Sequence, residues 1–229
     1  MPLFGPLHLT LIAIIVLACT GLSLACRRKL VDRRVTRLTI GWALVINELI
    51  WWEFRYSHEG LHLWNLPFQL CDVTLWMSAL ACLTLSAPVI EFAYFGGLAG
   101  AGMAILTPDL WSPWPTYPAI YFFVAHGGIV FAVSVLVIGR IVLLRQGAVW
   151  RAFAMLLGFA AVVGALNAVA GTNFMYLAHK PKNASALDAM GPWPWYLVAA
   201  AAAALVIFWL LWLPVRPRTI SRGALSKTR

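Results

Sequence analysis

Two short motifs in this chain each place one chemically capable side chain close to the start of an apolar stretch. Residues 66–72 carry Cys71, and residues 122–127 carry His126. A thiol has an ordinary pKa of about 8.5 and is mostly protonated at pH 7, so it needs a base before it can attack as a thiolate. A histidine within hydrogen-bond reach is such a base. If the fold brings the two together, they form a nucleophile and its general base.

The composition indicates that these motifs lie in a membrane protein. The chain has 229 residues, of which 62% are hydrophobic and 11% are charged, and its mean hydropathy is +0.83. A soluble domain of this size needs more polar surface than that. Apolar stretches of about 18 residues or more recur along the chain, and each is long enough to cross a bilayer core of roughly 30 Å.

We predict an all-α, polytopic bundle of about seven transmembrane helices in a single integral-membrane domain, followed by a short basic tail over residues 216–229. The glycines of the fourth span, at small-xxx-small spacing, favour close helix packing. No internal repeat is detectable in the sequence. The predicted spans cover residues 7–26, 36–56, 67–86, 89–106, 119–140, 152–177 and 195–214.

The net charge of +9 follows the predicted topology, which excludes nucleic acid as its explanation. Fourteen of the 17 basic residues fall on one side of the predicted bundle, and Arg55, Lys180 and Lys182 fall on the other. The positive-inside rule therefore predicts an outer N-terminus and a cytoplasmic C-terminus. The fourteen are Arg27, Arg28, Lys29, Arg33, Arg34, Arg37, Arg140, Arg145, Arg151, Arg216, Arg218, Arg222, Lys227 and Arg229.

Polar residues collect in the outer halves of the predicted spans. Cys71 and His126 are predicted at depths of roughly 6 and 11 Å, at 1.5 Å per residue. Because polar side chains in hydrocarbon usually face a bundle interior or a wet cavity, the pattern predicts a polar chamber that opens toward the outer leaflet. The other polar residues at similar depth are Glu48, Gln69, Asp72, Asn167, Thr172, Asn173 and Tyr176, with Asp109 in a Trp- and Pro-rich outer segment.

Five motifs in this order resemble the YwaF-like family of bacterial integral membrane proteins, over about residues 36–214. They are the Leu-Pro-x-x-Leu-Cys entry to the third span, the Thr-Pro-Asp-Leu loop at 107–110, the Phe-Phe-x-x-His-Gly span, the segment 171–177 with Lys180-Pro181, and the segment 191–196. That family in turn is similar to the animal transmembrane protein 164 type acyltransferases, which remodel ether phospholipids through a cysteine and a histidine. The resemblance implies that Cys71 and His126, 55 residues apart, correspond to that pair.

The chemistry implied by the resemblance is acyl transfer from, or hydrolysis of, glycerolipid esters near the outer leaflet. Cys71 would accept the acyl group and His126 would act as general base. The tetrahedral intermediate needs hydrogen-bond donors for its oxyanion, and Gln69, Thr172, Asn173 and Tyr176 are candidates by type and depth. Asp72 or Asp109 could orient His126.

Two other classes of protein are alternatives. Residues 58–62 read His-Glu-x-x-His, the signature of zinc metalloproteases, with Glu59 as base between His58 and His62. That motif requires a helix, whereas here Gly60 interrupts a connector between two spans, so a chance match is the better explanation. A solute or ion transporter using Glu48 is the second alternative, since an acidic residue in mid-membrane is typical of ion sites. Transport, however, needs polar groups near the midplane and routes to both faces.

From these observations we predict a multi-pass protein of the bacterial cytoplasmic membrane whose partners are membrane lipids and a lipid substrate. The proposed chemistry requires no metal and no organic cofactor.

Overall fold

The computed structural model describes residues 1–110, 112–181 and 185–217. Trp111 of the Trp-rich segment, Lys182 and the predicted tail beyond Pro217, with Arg218, Arg222, Lys227 and Arg229, lie outside the described residues. The described chain contains α-helices, short 3₁₀ turns and no strand, so the all-α prediction is confirmed. The seven helices are α1 (Pro6–Arg27), α2 (Arg33–Glu59), α3 (Leu70–Thr84), α4 (Ala87–Leu106), α5 (Tyr117–Val137), α6 (Ala148–Ala170) and α7 (Trp195–Trp212).

Local sequence explains where the helices begin and end. Asp32 caps the start of α2, because its carboxylate accepts the backbone N–H groups of Arg34 and Val35 at 2.7 and 2.8 Å. Gly60 ends α2 with φ +78°. Proline stands in the first turn of α1, α4 and α5, where its missing N–H costs no helical hydrogen bond.

Consecutive helices run in opposite directions, so the connections lie at two ends of the bundle. We call the end with the α2–α3, α4–α5 and α6–α7 connections the site end, and the other the basic end. Contacts between distant segments agree with this: His8 of α1 bonds the Ile105 carbonyl of α4 at the site end. At the basic end, Arg37 of α2 donates to the Cys82 carbonyl of α3 at 2.6 Å.

Five of the seven helices are long and apolar enough to cross a membrane: α1, α4, α5, α6 and α7. α3 has only 15 residues, or about 22 Å at 1.5 Å per residue, which is less than a bilayer core of roughly 30 Å. α2 is long but carries charged residues at both ends. α3 packs against α2, α4 and α5, so this short helix is surrounded on several sides by other helices.

α4 and α5 form the centre of the bundle, and the glycines of α4 permit their close approach. A Cβ added to Gly97 would lie 2.7 Å from Cγ2 of Ile129 on α5, and one added to Gly96 would lie 3.3 Å from Cγ2 of Thr74 on α3. The predicted packing role is therefore confirmed for these two glycines. Gly102, by contrast, has no neighbour within 4 Å.

Several helix ends differ from the predicted span boundaries, and two of these differences concern the site. The sixth span was predicted to run to residue 177, but α6 ends at Ala170 because Gly171 takes the left-handed conformation, with φ +66°. Thr172, Asn173 and Tyr176 are therefore in the connection after α6. The third span was predicted from residue 67, but α3 begins at Leu70, because Gln69 is extended and follows Pro67.

An ion-pair network around one buried carboxylate joins two arginines at the basic end. The Glu91 carboxylate of α4 is 1% exposed and accepts Arg145 Nε at 2.9 Å and Arg151 Nη2 at 2.8 Å. Each arginine makes two hydrogen bonds to the carboxylate. This network ties α4 to α6 and to the connection before it, so two of the basic residues that set the predicted topology also have a structural role.

Candidate functional site

A cavity of about 550 Å³ opens at the site end between α2, α3 and α5. Its size is that of a small-molecule site. Both motif residues, Cys71 and His126, line it. Of the other residues predicted to form the chamber, Gln69, Asp72, Asp109 and Tyr176 also line it.

Cys71 is the second residue of α3 and the least buried of the four cysteines. Cys19, Cys26 and Cys82 are buried, whereas Cys71 is half-buried. A Cβ added to Gly100 of α4 would lie 3.9 Å from the Cys71 Sγ. The small residue at position 100 therefore leaves room beside the sulfur, and Cys71 alone among the cysteines lines the cavity.

His126 lies on α5 and is oriented by its own helix. Its Nδ1 is 2.7 Å from the Phe122 carbonyl oxygen. Since a carbonyl oxygen only accepts hydrogen bonds, Nδ1 carries the proton in the neutral ring and Nε2 carries the lone pair. The orienting group is thus a backbone carbonyl and neither Asp72 nor Asp109, the two carboxylates suggested by the sequence.

No hydrogen bond joins Cys71 to His126 in the described part of the chain. Both side chains line the same cavity. Catalytic hydrogen bonds are often long before substrate binds and tighten in the complex. The arrangement therefore brings a thiol and an imidazole lone pair to one space that a substrate would fill.

Gln69 and Asp72 lie at the start of α3, where hydrogen bonds hold both side chains in place. The Asp72 carboxylate accepts the Gln69 backbone N–H at 3.2 Å, as in a helix N-cap. The Gln69 Oε1 accepts the Met175 backbone N–H at 2.9 Å. Because this bond uses the amide oxygen, the NH₂ group of Gln69 is the end of the side chain that can donate to a ligand.

Asn167, Thr172 and Asn173 brace the α6–α7 connection and are not among the cavity-lining residues. Asn167 is buried, and its side chain holds the Phe174 backbone N–H and carbonyl, each at 2.9 Å, as well as the Thr172 hydroxyl at 2.8 Å. Asn173 accepts the backbone N–H groups of Ala178 and His179. Their polar groups are used inside the connection, which in turn places Tyr176 at the cavity.

Glu48 does not line the cavity, but it hydrogen-bonds to Tyr121, a residue that does. Its carboxylate, 1% exposed, accepts the Tyr121 hydroxyl at 2.6 Å and the Trp52 indole N–H at 2.9 Å. The Tyr121 ring stacks on Trp51 with centroids 4.0 Å apart and planes at 8°. Trp51 and Tyr121 both line the cavity, so Glu48 joins α2 to α5 at the height of the site.

Sequence reasoning missed the contribution of the α2 face to this cavity. Trp51, Arg55 and Glu59 line it, and their spacing of four residues places them on one face of a helix. Asn65, from the α2–α3 connection, lines it as well and is 1% exposed. The helical spacing of Glu48, Trp51, Arg55 and Glu59 was the signal in the sequence that could have identified this wall.

The His-Glu-x-x-His motif does not lie on one helix. α2 ends at Glu59, and Gly60 turns the chain with φ +78°, so His58 and His62 do not share a helical face. The His62 ring stacks on Trp64 at 4.3 Å, and His58 Nδ1 lies 2.8 Å from the Phe54 carbonyl. The helical geometry that a zinc protease of this class requires is therefore missing from these residues.

Comparison with known proteins gives one family. The family model described as the TMEM164 family matches residues 3–212. The match covers α1 to α7 and therefore begins well before residue 36, where the motif resemblance begins. No curated protein and no solved structure matches the chain.

Proposed function

We propose that this chain, which belongs to the TMEM164 family, is a membrane-embedded acyltransferase or hydrolase that acts on glycerolipid esters through Cys71 and His126. The observation that carries the proposal is that the half-buried thiol and the oriented imidazole line one cavity at the site end. The resemblance of the motifs to YwaF-like proteins and to ether-phospholipid acyltransferases supports lipid acyl chemistry. The setting we propose is the outer half of a bacterial cytoplasmic membrane.

In the first half-reaction, the Cys71 sulfur attacks the ester carbonyl carbon while His126 Nε2 takes the thiol proton. The tetrahedral intermediate collapses, the bond to the glycerol oxygen breaks, and His126 returns its proton to the leaving lysolipid oxygen. The products are a thioester on Cys71 and a lysolipid. Because the Phe122 carbonyl holds the proton of Nδ1, Nε2 is the nitrogen that takes the thiol proton and then gives it to the leaving oxygen.

In the second half-reaction, the hydroxyl of an acceptor lysolipid or of water attacks the thioester carbonyl. His126 takes the hydroxyl proton and returns it to the departing Cys71 sulfur, so the enzyme ends as it began. A lysolipid acceptor makes the protein a transferase and water makes it a hydrolase. The Gln69 NH₂ group, whose amide oxygen is already held by Met175, is our candidate for the oxyanion donor.

Labelling with a lipid-like, thiol-reactive probe in detergent, followed by mass spectrometry, tests the nucleophile. We expect modification at Cys71, its loss in Cys71→Ser, and slower modification in His126→Ala. Cys19→Ala is the matched control, because Cys19 lies on α1 away from the cavity and the variant should label like the parent protein.

Acyl turnover of a phospholipid in proteoliposomes tests the reaction itself. We expect the Cys71→Ser and His126→Ala variants to lose at least about 100-fold in turnover, the usual scale for removing a nucleophile or its base. Full turnover in both variants, or a Cys71 that reacts no faster than Cys19 or Cys82, would show that the cysteine is structural.

A further inference from the structure

We propose that Arg55 binds the phosphate of the lipid substrate at the mouth of the cavity and thereby selects phosphate-bearing lipids. This inference rests on the proposed function, because it assigns one part of the same substrate to one residue of the same cavity. Among the described residues that line the cavity, Arg55 is the one that carries a permanent positive charge.

The order of groups along the cavity matches that of a phospholipid. α2 runs toward the site end, so Arg55 lies one turn, or roughly 6 Å, nearer the mouth than Trp51. Trp51 stacks on Tyr121, and His126 lies five residues, or roughly 7.5 Å, deeper along α5 than Tyr121. From the mouth inward, the cavity therefore presents the Arg55 guanidinium, then the aromatic wall, then the His126 imidazole. A phospholipid with its headgroup at the membrane surface presents phosphate, glycerol and acyl ester in that same order.

The guanidinium group of Arg55 is held in place with donors to spare. Its Nη2 donates to the Asn65 Oδ1 at 3.0 Å, and its Nη1 donates to the Asn65 carbonyl at 3.3 Å. The Asn65 side chain is fixed in turn, because its Nδ2 donates to the Gly60 carbonyl at 3.2 Å. With Nε bonded to Glu59 at 3.2 Å, three of five N–H groups are used. One N–H on each Nη remains, and the edge formed by Nε and Nη2 suits two phosphate oxygens once Glu59 leaves Nε.

The carboxylates near Arg55 do not prevent it from binding a phosphate. The pair with Glu59 joins residues four apart on α2, with 27% and 48% of the side chains exposed, and exposed pairs of this kind are weak. A phosphate can therefore replace Glu59. The Asp72 carboxylate faces the Gln69 backbone N–H, and Asp109 lies on the exposed α4–α5 connection.

The test is the ratio of kcat/KM for a phospholipid to kcat/KM for a phosphate-free diacylglycerol ester with the same acyl chains, in proteoliposomes. We expect Arg55→Gln to lower this ratio at least about tenfold, since it removes charge-assisted hydrogen bonds. Glu59→Gln removes the competing carboxylate and should raise the ratio about two- to threefold. Lys180→Gln is the matched control and should leave the ratio unchanged. Lys180 is a cation at the same end of the bundle, but it is not among the lining residues, and its Nζ lies 3.9 Å from the Asp188 carboxylate.

The outcomes separate the two proposals. Parent protein that turns over neither ester refutes the proposed function itself. If the parent protein turns over both esters, the acyl chemistry stands. If, in addition, Arg55→Gln has the same kcat/KM ratio as the parent and Glu59→Gln does not raise it, the role of Arg55 is overturned. The Glu59 variant keeps this test usable if Arg55→Gln does not fold. Millimolar inorganic phosphate distinguishes lipid-carried phosphate from soluble phosphate: unchanged turnover supports the lipid, and competition that Arg55→Gln abolishes assigns the site to a soluble ligand instead.

Discussion

At the scale of single residues, backbone groups set the chemistry of the cavity side chains. The Phe122 carbonyl fixes the tautomer of His126, and the Met175 N–H fixes the orientation of the Gln69 amide. Neither contact can be read from residue types, because any residue supplies the same carbonyl or N–H. Side chains that did look functional, such as Asn167, are used to satisfy backbone groups of the α6–α7 connection. Buried polar groups generally find such partners.

Glu48 is the buried polar residue whose replacement we expect to cost most at this scale. Glu48→Ala leaves the Tyr121 hydroxyl and the Trp52 indole N–H without their acceptor, at roughly 1–3 kcal/mol for each buried donor. Glu48→Gln keeps an oxygen for Trp52 and an NH₂ group for the Tyr121 oxygen, so it should be much milder. Thermal unfolding in detergent compares the two variants. Equal melting temperatures would mean that these hydrogen bonds do not stabilise the α2–α5 contact.

At the scale of helices, small residues decide how near the elements come to one another. Gly96 and Gly97 let α4 approach α3 and α5, which brings the short helix with Cys71 beside the helix with His126. The glycine spacing predicted close packing, but it did not say which glycine meets which helix. The end of α6 was mispredicted for a related reason: Gly171 in a left-handed conformation stops the helix, and apolar length alone does not show such a stop.

Gly97→Ala should destabilise the bundle. The added Cβ would stand 2.7 Å from the branched Cγ2 of Ile129, and overpacking of this kind costs typically about 1–3 kcal/mol. Gly102→Ala is the matched control on the same helix, since nothing lies within 4 Å of the added methyl and alanine favours the helix. Thermal unfolding in detergent should give a lower melting temperature for the first variant than for the second; the reverse order would contradict the proposed contact.

At the scale of the whole molecule, the cavity lies at the opposite end of the bundle from most of the basic residues that the structure describes. Arg145 and Arg151 meet Glu91 at the basic end, whereas Cys71 and His126 line a cavity at the site end. The positive-inside rule then predicts that the cavity faces away from the cytoplasm. Under the proposed function, this orientation makes the outer leaflet the source of the lipid substrate.

Two exposed leucines give a matched test of orientation. Leu61, in the α2–α3 connection, is 73% exposed, and Leu30, in the α1–α2 connection, is 72% exposed. In a chain whose natural cysteines are replaced by alanine, we expect Leu61→Cys to react with a membrane-impermeant maleimide in intact cells. Leu30→Cys should react only after the membrane is permeabilised. The opposite pattern would place the site at the cytoplasmic face.

The sequence by itself determined the helical membrane class, the number of helices and the two motifs, because hydropathy and charge act locally along the chain. It also placed the polar residues roughly at one end, since each depth follows from counting residues from a helix end. Only the tertiary structure decided which of those polar residues share a cavity. Cys71, Gln69 and Tyr176 do, whereas Asn167, Thr172 and Asn173 brace a connection and Glu48 supports a wall. The physical reason is that a polar group in a bundle must find a partner, and whether that partner is a neighbouring backbone or open space depends on how the helices pack.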